Sequence, residues 1–146
     1  KKQTQGKLVV VFGCGGNRDA SKRPQMTAIA QSIADRVILT ADNPRKENLD
    51  NIIADMQSNS DAASKELVVV EIDRSKAIEI ALAELDEQDL LLIAGKGHEA
   101  YQDIDGIKHP YSDEAVLLSL GYQDVAQPIE SLQADSIKID SIKEVL

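Results

Sequence analysis

Three short polar segments hold the residue types from which chemistry can be built, and each directly follows an apolar run. Gly13-Cys14-Gly15-Gly16-Asn17-Arg18-Asp19 follows the run at 8–12, Thr40-Ala41-Asp42-Asn43-Pro44-Arg45 the run at 37–39, and Gly95-Lys96-Gly97-His98-Glu99 the run at 90–94. The first segment admits two readings. Its glycines suit a tight turn with positive φ, while Arg18, with Lys22 and Arg23 ahead of Pro24, suits an anion site at a helix start on an otherwise acidic chain. It has neither the Gly-x-Gly-x-x-Gly spacing of a dinucleotide site nor the Gly-x-x-x-x-Gly-Lys-[Ser/Thr] spacing of a P-loop.

In the second segment Pro44 fixes its own φ and biases Asn43 toward extended geometry, which sets the Asn43 and Arg45 side chains in a fixed relation. Arg45 then suits a carboxylate held by two parallel hydrogen bonds. The plainer alternative is an ordinary turn with a solvated arginine, which spacing alone favours. In the third segment Gly95 and Gly97 let the backbone approach a ligand closely, and Glu99 suits an ammonium group. Lys96 reads as a solvated surface lysine. His98 and Glu99 are not a metal ligand set, because they are adjacent and the only other histidine is His109, so no metal is expected. Cys14 invites a thiol-nucleophile reading, but the sequence places no base beside it, and a small buried residue under the turn is the better reading.

These segments need elements to position them. The four apolar runs, at 8–12, 37–39, 67–70 and 90–94, do not alternate, as expected of strands covered by helices on both faces. Between them the period becomes helical, with Met26, Ile29, Ala30 and Ile33, then Leu49, Ile52, Ile53 and Met56, then Ala77, Ile78, Ala81, Leu82 and Leu85. Ser75 reads as the N-cap of the third helix. The order βαβαβαβ with right-handed crossovers predicts an α/β fold: a Rossmann-like, mainly parallel sheet with helices on both faces. Asp105-Gly106 between Ile104 and Ile107 predicts a C-terminal hairpin that extends the sheet, followed by a helix over 113–120. Residues 58–64 read as a loop that ends a helix. One domain is expected over 1–122, with 123–146 a polar tail of no assigned structure. In such sheets ligands sit beyond the carboxyl ends of the strands, so Arg18, Arg45 and Glu99 are expected around one cleft.

Composition narrows the partners. Sixteen basic and 25 acidic residues give a formal charge of −9, which opposes nucleic acid and anionic membrane surfaces. With 3% aromatic content, stacking platforms for bases are not expected. One cysteine excludes an intrachain disulfide, no secretory or membrane-spanning run is seen, and the chain reads as cytoplasmic.

Taken together and in order, five motifs resemble the Mur ligases, specifically the C-terminal domain of members that add meso-diaminopimelate. They are Val11-Phe12-Gly13-Cys14-Gly15-Gly16-Asn17-Arg18-Asp19, Lys22-Arg23-Pro24, Asp42-Asn43-Pro44-Arg45, Ala94-Gly95-Lys96-Gly97-His98-Glu99 and Tyr111-Ser112-Asp113. Each is short, but their combination is specific, and it covers the chain from about Leu8 to about Leu120. Asn17 departs from the Gly-Gly-Asp-Arg-Asp form of the first motif.

The resemblance implies an ATP-dependent amide-forming ligase of peptidoglycan synthesis. In that family the carboxylate of UDP-MurNAc-L-Ala-D-Glu is phosphorylated and the amino group of meso-diaminopimelate attacks it. It implies that Asp42, Asn43, Pro44 and Arg45 form the diaminopimelate signature, with Asn43 and Arg45 holding one end of the amino acid. The Gly95 carbonyl and Glu99 would receive an ammonium, and Arg18 would pair with a carboxylate. Lys22 and Arg23 are expected to approach phosphates when the domain closes on its partner domains. ATP and Mg2+ belong to the full-length enzyme, whose P-loop, magnesium-binding carboxylates and uridine-nucleotide domain are not found here. The chain alone is therefore expected to be inactive and to hold no catalytic residue or cofactor. Two rivals stay open, a dinucleotide-binding oxidoreductase domain and a stand-alone module that binds a small zwitterion.

Overall fold

The computed structural model describes residues 6–59, 66–97 and 99–122. His98, most of the expected loop at 58–64, and the tail at 123–146 lie outside the described residues. The four apolar runs form strands β1 (Leu8–Phe12), β2 (Arg36–Leu39), β3 (Val68–Val70) and β4 (Leu90–Ala94), paired in parallel in the order β3-β2-β1-β4. β1 is hydrogen-bonded on both edges and all five of its residues are buried, so Leu-Val-Val-Val-Phe has no polar face to alternate with.

Helices α1 (Lys22–Ile33) and α2 (Leu49–Gln57) cover one face, where Val10, Phe12, Val37 and Leu39 pack with Ala30, Ile52 and Met56. Helix α3 (Arg74–Ala83) covers the other, where Val9, Val11 and Ile38 pack with Ala77 and Ala81. Alternate residues of one strand thus enter two cores, each sealed by its own helices. Fully burying an aliphatic side chain of this size contributes roughly 1.5–3 kcal/mol, so the two cores hold the scaffold that carries the polar loops.

Asp73, not Ser75, caps α3. Its backbone is extended and its carboxylate accepts from the amides of Ser75 and Lys76, which places Ser75 already inside the first turn. Asn48 caps α2 by accepting from the Asp50 amide, and Ser112 caps α4 (Asp113–Ser119) by accepting from that of Ala115. No helix among the described residues is long and apolar enough to cross a membrane.

The hairpin forms where expected, with β5 (Tyr101–Ile104) antiparallel to β6 (Ile107–Pro110) and Asp105 and Gly106 at φ 54° and 79° in the turn. It does not extend the main sheet. The two strands make a separate sheet, because Gly95 and Gly97, at φ 104° and 53°, turn the chain aside directly after β4. β5 instead pairs with the loop after β2: the Arg45 amide donates to the Asp103 carbonyl at 2.8 Å, and the Asp105 amide to the Arg45 carbonyl at 2.6 Å.

Candidate functional site

β1 has β2 on one side and β4 on the other, so the loops that leave their carboxyl ends diverge around a crevice. A cleft of about 490 Å³ lies there, with Gly13, Gly15 and Arg18 from the first loop, Asp42, Asn43 and Arg45 from the second, and Gly95 and Glu99 from the third on its wall. Lys22 and Arg23 of α1 also reach it. Arg18 and Arg45 form no salt bridge among the described residues, Lys22 lies near Asp19, and Asp42 and Glu99 bring further negative charge to the same cleft. Cationic and anionic groups therefore face one space, a layout complementary to a zwitterion with more than one carboxylate.

The first two loops are stitched to each other. The Gly16 amide donates to the Asn43 carbonyl at 2.8 Å, Arg45 Nη1 donates to the Gly16 carbonyl at 2.8 Å, and the Lys46 amide donates to Asn17 Oδ1 at 3.3 Å. A Cβ at Gly16 would overlap the Pro44 carbonyl, so glycine is required there by close approach. Asn17 and Arg45 both sit at φ 54°. Asn suits that left-handed backbone, while Arg45 is held in it by its two hydrogen bonds to the hairpin.

In this structure Arg23 already has its charge paired within the chain. It is 1% exposed, and its guanidinium donates to Glu47 at 2.6 and 2.7 Å, to Asp55 at 2.8 Å and to the Gly15 carbonyl at 3.2 Å. The pair joins α1 to the loop before α2 and to the glycine turn. Lys22 by contrast stays exposed. Hydrogen bonds from Arg23, then from the Asn17 amide, hold the Glu47 carboxyl at about 2, down from 4.5. A carboxyl depressed in the fold contributes stability that is fully present above its unfolded value and lost as pH falls through the folded one. Glu47→Gln should therefore lower the urea midpoint at about pH 6, and the gap from wild type should narrow steadily toward about pH 2. A gap that does not change with pH would remove Glu47 from the acid response.

Lys96 is also not the solvated residue that its type suggests. The positive φ of Gly95 and Gly97 on either side turns it inward, and it is 2% exposed. Its Nζ donates to Asn43 Oδ1 at 2.8 Å and to the Tyr101 carbonyl at 2.7 Å, with Asp42 Oδ1 at 3.2 Å and Glu99 Oε2 at 3.7 Å. Asp42 Oδ1 makes an ion pair with it but no aligned hydrogen bond. Asn43 Nδ2 in turn donates to Glu99 Oε2 at 2.7 Å. Asn43 is thus an internal bracket as well as part of the cleft wall, and only 3% exposed.

Two further groups complete the frame. Arg74, 1% exposed, clamps Asp113 with Nε and Nη2, each at 2.8 Å, and Nη2 also donates to the Ala94 carbonyl at 3.0 Å. Cys14 lies buried under the turn with Sγ 3.7 Å from Met26 Sδ, and burial pushes its thiol up to about 12. Glu47, Arg74 and Lys96 carry no sequence signal of these roles beyond the two glycines beside Lys96.

The sequence profile of the Mur ligase, glutamate ligase domain family matches residues 1–97, which include β1 to β4 and the first two loops in full. A UDP-N-acetylmuramoyl-L-alanyl-D-glutamate--2,6-diaminopimelate ligase of Chlorobaculum tepidum is 53% identical over 111 residues, covering 76% of this chain and 21% of that protein. The ligase of the same name from Aquifex aeolicus is 47% identical over 117 residues, covering 80% of this chain and 24% of its own. A solved structure of such a ligase superposes with a TM-score of 0.75 at 43% identity, covering 80% of this chain and 24% of that one. The chain accordingly spans about a fifth to a quarter of the length of these relatives. A profile that runs from the first strand to the glycine turn after β4, on a fold whose strand ends build the cleft just described, places this chain in the Mur ligase family.

Proposed function

We propose that this chain is the amino-acid-binding C-terminal domain of an ATP-dependent amide-forming ligase that adds meso-diaminopimelate to UDP-MurNAc-L-Ala-D-Glu in cytoplasmic peptidoglycan synthesis. The observation that carries this reading is the meeting of Arg18, Arg45 and Glu99 on one cleft at the carboxyl ends of β1, β2 and β4. Arg45 and Arg18 each receive a carboxylate, and Glu99 with the Gly95 carbonyl receives an ammonium. Asp42 and Asn43 line the same cleft, Pro44 sets the backbone between them and Arg45, and Lys22 stands ready for a phosphate at the rim. Meso-diaminopimelate differs from lysine by one carboxylate, and a site with an arginine fork for that group rejects lysine because the arginine would be left unpaired. The names of the relatives support the same amino acid.

ATP, Mg2+ and UDP-MurNAc-dipeptide are assigned to the remainder of the full-length ligase, because this chain spans only about a fifth to a quarter of its relatives and its sequence carries no Gly-x-x-x-x-Gly-Lys-[Ser/Thr] loop. A thermal-shift panel on this chain tests the reading. Meso-diaminopimelate at about 100 times its Kd should stabilise by about 2.7 kcal/mol, with little shift from lysine or NAD at equal concentration. A shift from NAD alone would favour the dinucleotide-binding alternative, and no shift from meso-diaminopimelate would remove the assignment.

A further inference from the structure

We propose that Lys96 is a positioning residue which, through the side-chain amide of Asn43, sets the rotamer of Glu99 so that one carboxylate oxygen faces the ligand's ammonium group. The inference rests on the function proposed above and adds to it a residue that stands behind the wall of the cleft. Asn43 Oδ1 accepts from two donors, Lys96 Nζ at 2.8 Å and the Asp103 amide at 2.9 Å. An amide turned the other way would set its own N–H groups against both, so these donors fix which end is nitrogen. The nitrogen then points to Glu99 and occupies Oε2 at 2.7 Å, while Oε1 has no partner among the described residues.

A cation is needed to hold this amide because the carboxylates of Asp42 and Glu99 flank the same point, at 3.2 and 3.7 Å from Nζ. An uncharged donor would leave two carboxylates, Asp42 mostly buried and Glu99 a third exposed, flanking this point without compensation. One ammonium against two carboxylates leaves a single negative charge, which a single ligand ammonium neutralises. A second hydrogen bond from Lys96 reaches the Tyr101 carbonyl at 2.7 Å and ties this arrangement to the first residue of the hairpin.

The test is a double-mutant cycle on this chain, with Kd for meso-diaminopimelate measured by calorimetry for wild type, K96M, E99Q and K96M/E99Q. Each single variant should weaken binding on the order of 10- to 100-fold, the range for a hydrogen bond to a charged group. If Lys96 acts through Glu99, the double variant should bind no more weakly than E99Q alone. Losses that multiply, or a K96M chain that binds as wild type does, would overturn the proposal while leaving the amino-acid assignment intact. A wild-type chain that does not bind meso-diaminopimelate would remove both. Should K96M fail to fold, the Asn43 side-chain amide decides the matter in wild-type protein by 15N NMR. Its resonances should move on saturation with meso-diaminopimelate, and an amide that does not move would overturn the proposal.

Discussion

Arg74→Ala should lower the stability of the domain by about 3–5 kcal/mol, the range for removing one partner of a buried charge pair. The guanidinium is fully enclosed and makes four hydrogen bonds to three parts of the chain. It clamps Asp113 at the start of α4 and donates to the carbonyls of Ala41 at 3.4 Å and Ala94 at 3.0 Å, at the ends of β2 and β4. Alanine would leave those two carbonyls without this donor and Asp113 with only the Tyr111 hydroxyl, at 3.0 Å. That hydroxyl is itself held above its ordinary range, by burial first and then by the negative charge of Asp113. For a domain of this size the melting temperature should fall by roughly 10 °C or more. Arg74→Lys should recover only part of the loss, since an ammonium cannot reproduce the two-pronged contact. Ala41 and Ala94 directly precede Asp42 and Gly95, so affinity for the cleft ligand should fall in the folded fraction as well. An alanine variant that melts within about 1 kcal/mol of wild type would mean that α4 and the strand ends are held by something else.

The parts of this molecule that were legible in its sequence are those fixed by local pattern. Unbroken aliphatic runs mark strands covered on both faces, and Val9 and Val10 of β1 do enter opposite cores. Asp105-Gly106 sets a hairpin turn because few other pairs adopt positive φ twice in succession. The cleft was legible because topology alone brings the ends of β1, β2 and β4 together. What sequence did not show is which charged residues find partners far along the chain. Arg23 meets Glu47 and Asp55, Arg74 meets Asp113, and Lys96 meets Asn43, each pair separated by 24 residues or more. Burial of such residues depends on three-dimensional pairing, and a lysine or arginine that will be enclosed has the same local neighbours as one that stays in water. The detached hairpin was missed for a related reason: β5 pairs through its backbone with Arg45 in the loop after β2, and backbone pairing leaves no mark in side-chain pattern.

Arg45→Ala should change amino-acid preference more than it changes the fold. Arg45 sits at φ 54°, where any residue with a Cβ is strained, so alanine bears about the same backbone cost as arginine and keeps both main-chain bonds to the hairpin. Within the chain the substitution removes one side-chain contact, from Nη1 to the Gly16 carbonyl at 2.8 Å. The remaining donors of the guanidinium are available to the cleft, where a carboxylate held in a two-pronged contact would occupy them. In the full-length ligase, losing that contact should cost about 2–5 kcal/mol in kcat/KM for meso-diaminopimelate, while lysine, which lacks the carboxylate, should lose much less. Arg45→Lys should fall between the two, since it restores the charge without the fork. The ratio of kcat/KM for the two amino acids is the quantity that separates recognition from support, because damage to the loop would slow both substrates alike. Equal losses for meso-diaminopimelate and lysine would leave Arg45 as a strut under Gly16 and shift the reading of the distinguishing carboxylate to Arg18, the other arginine on the cleft wall with no carboxylate partner among the described residues.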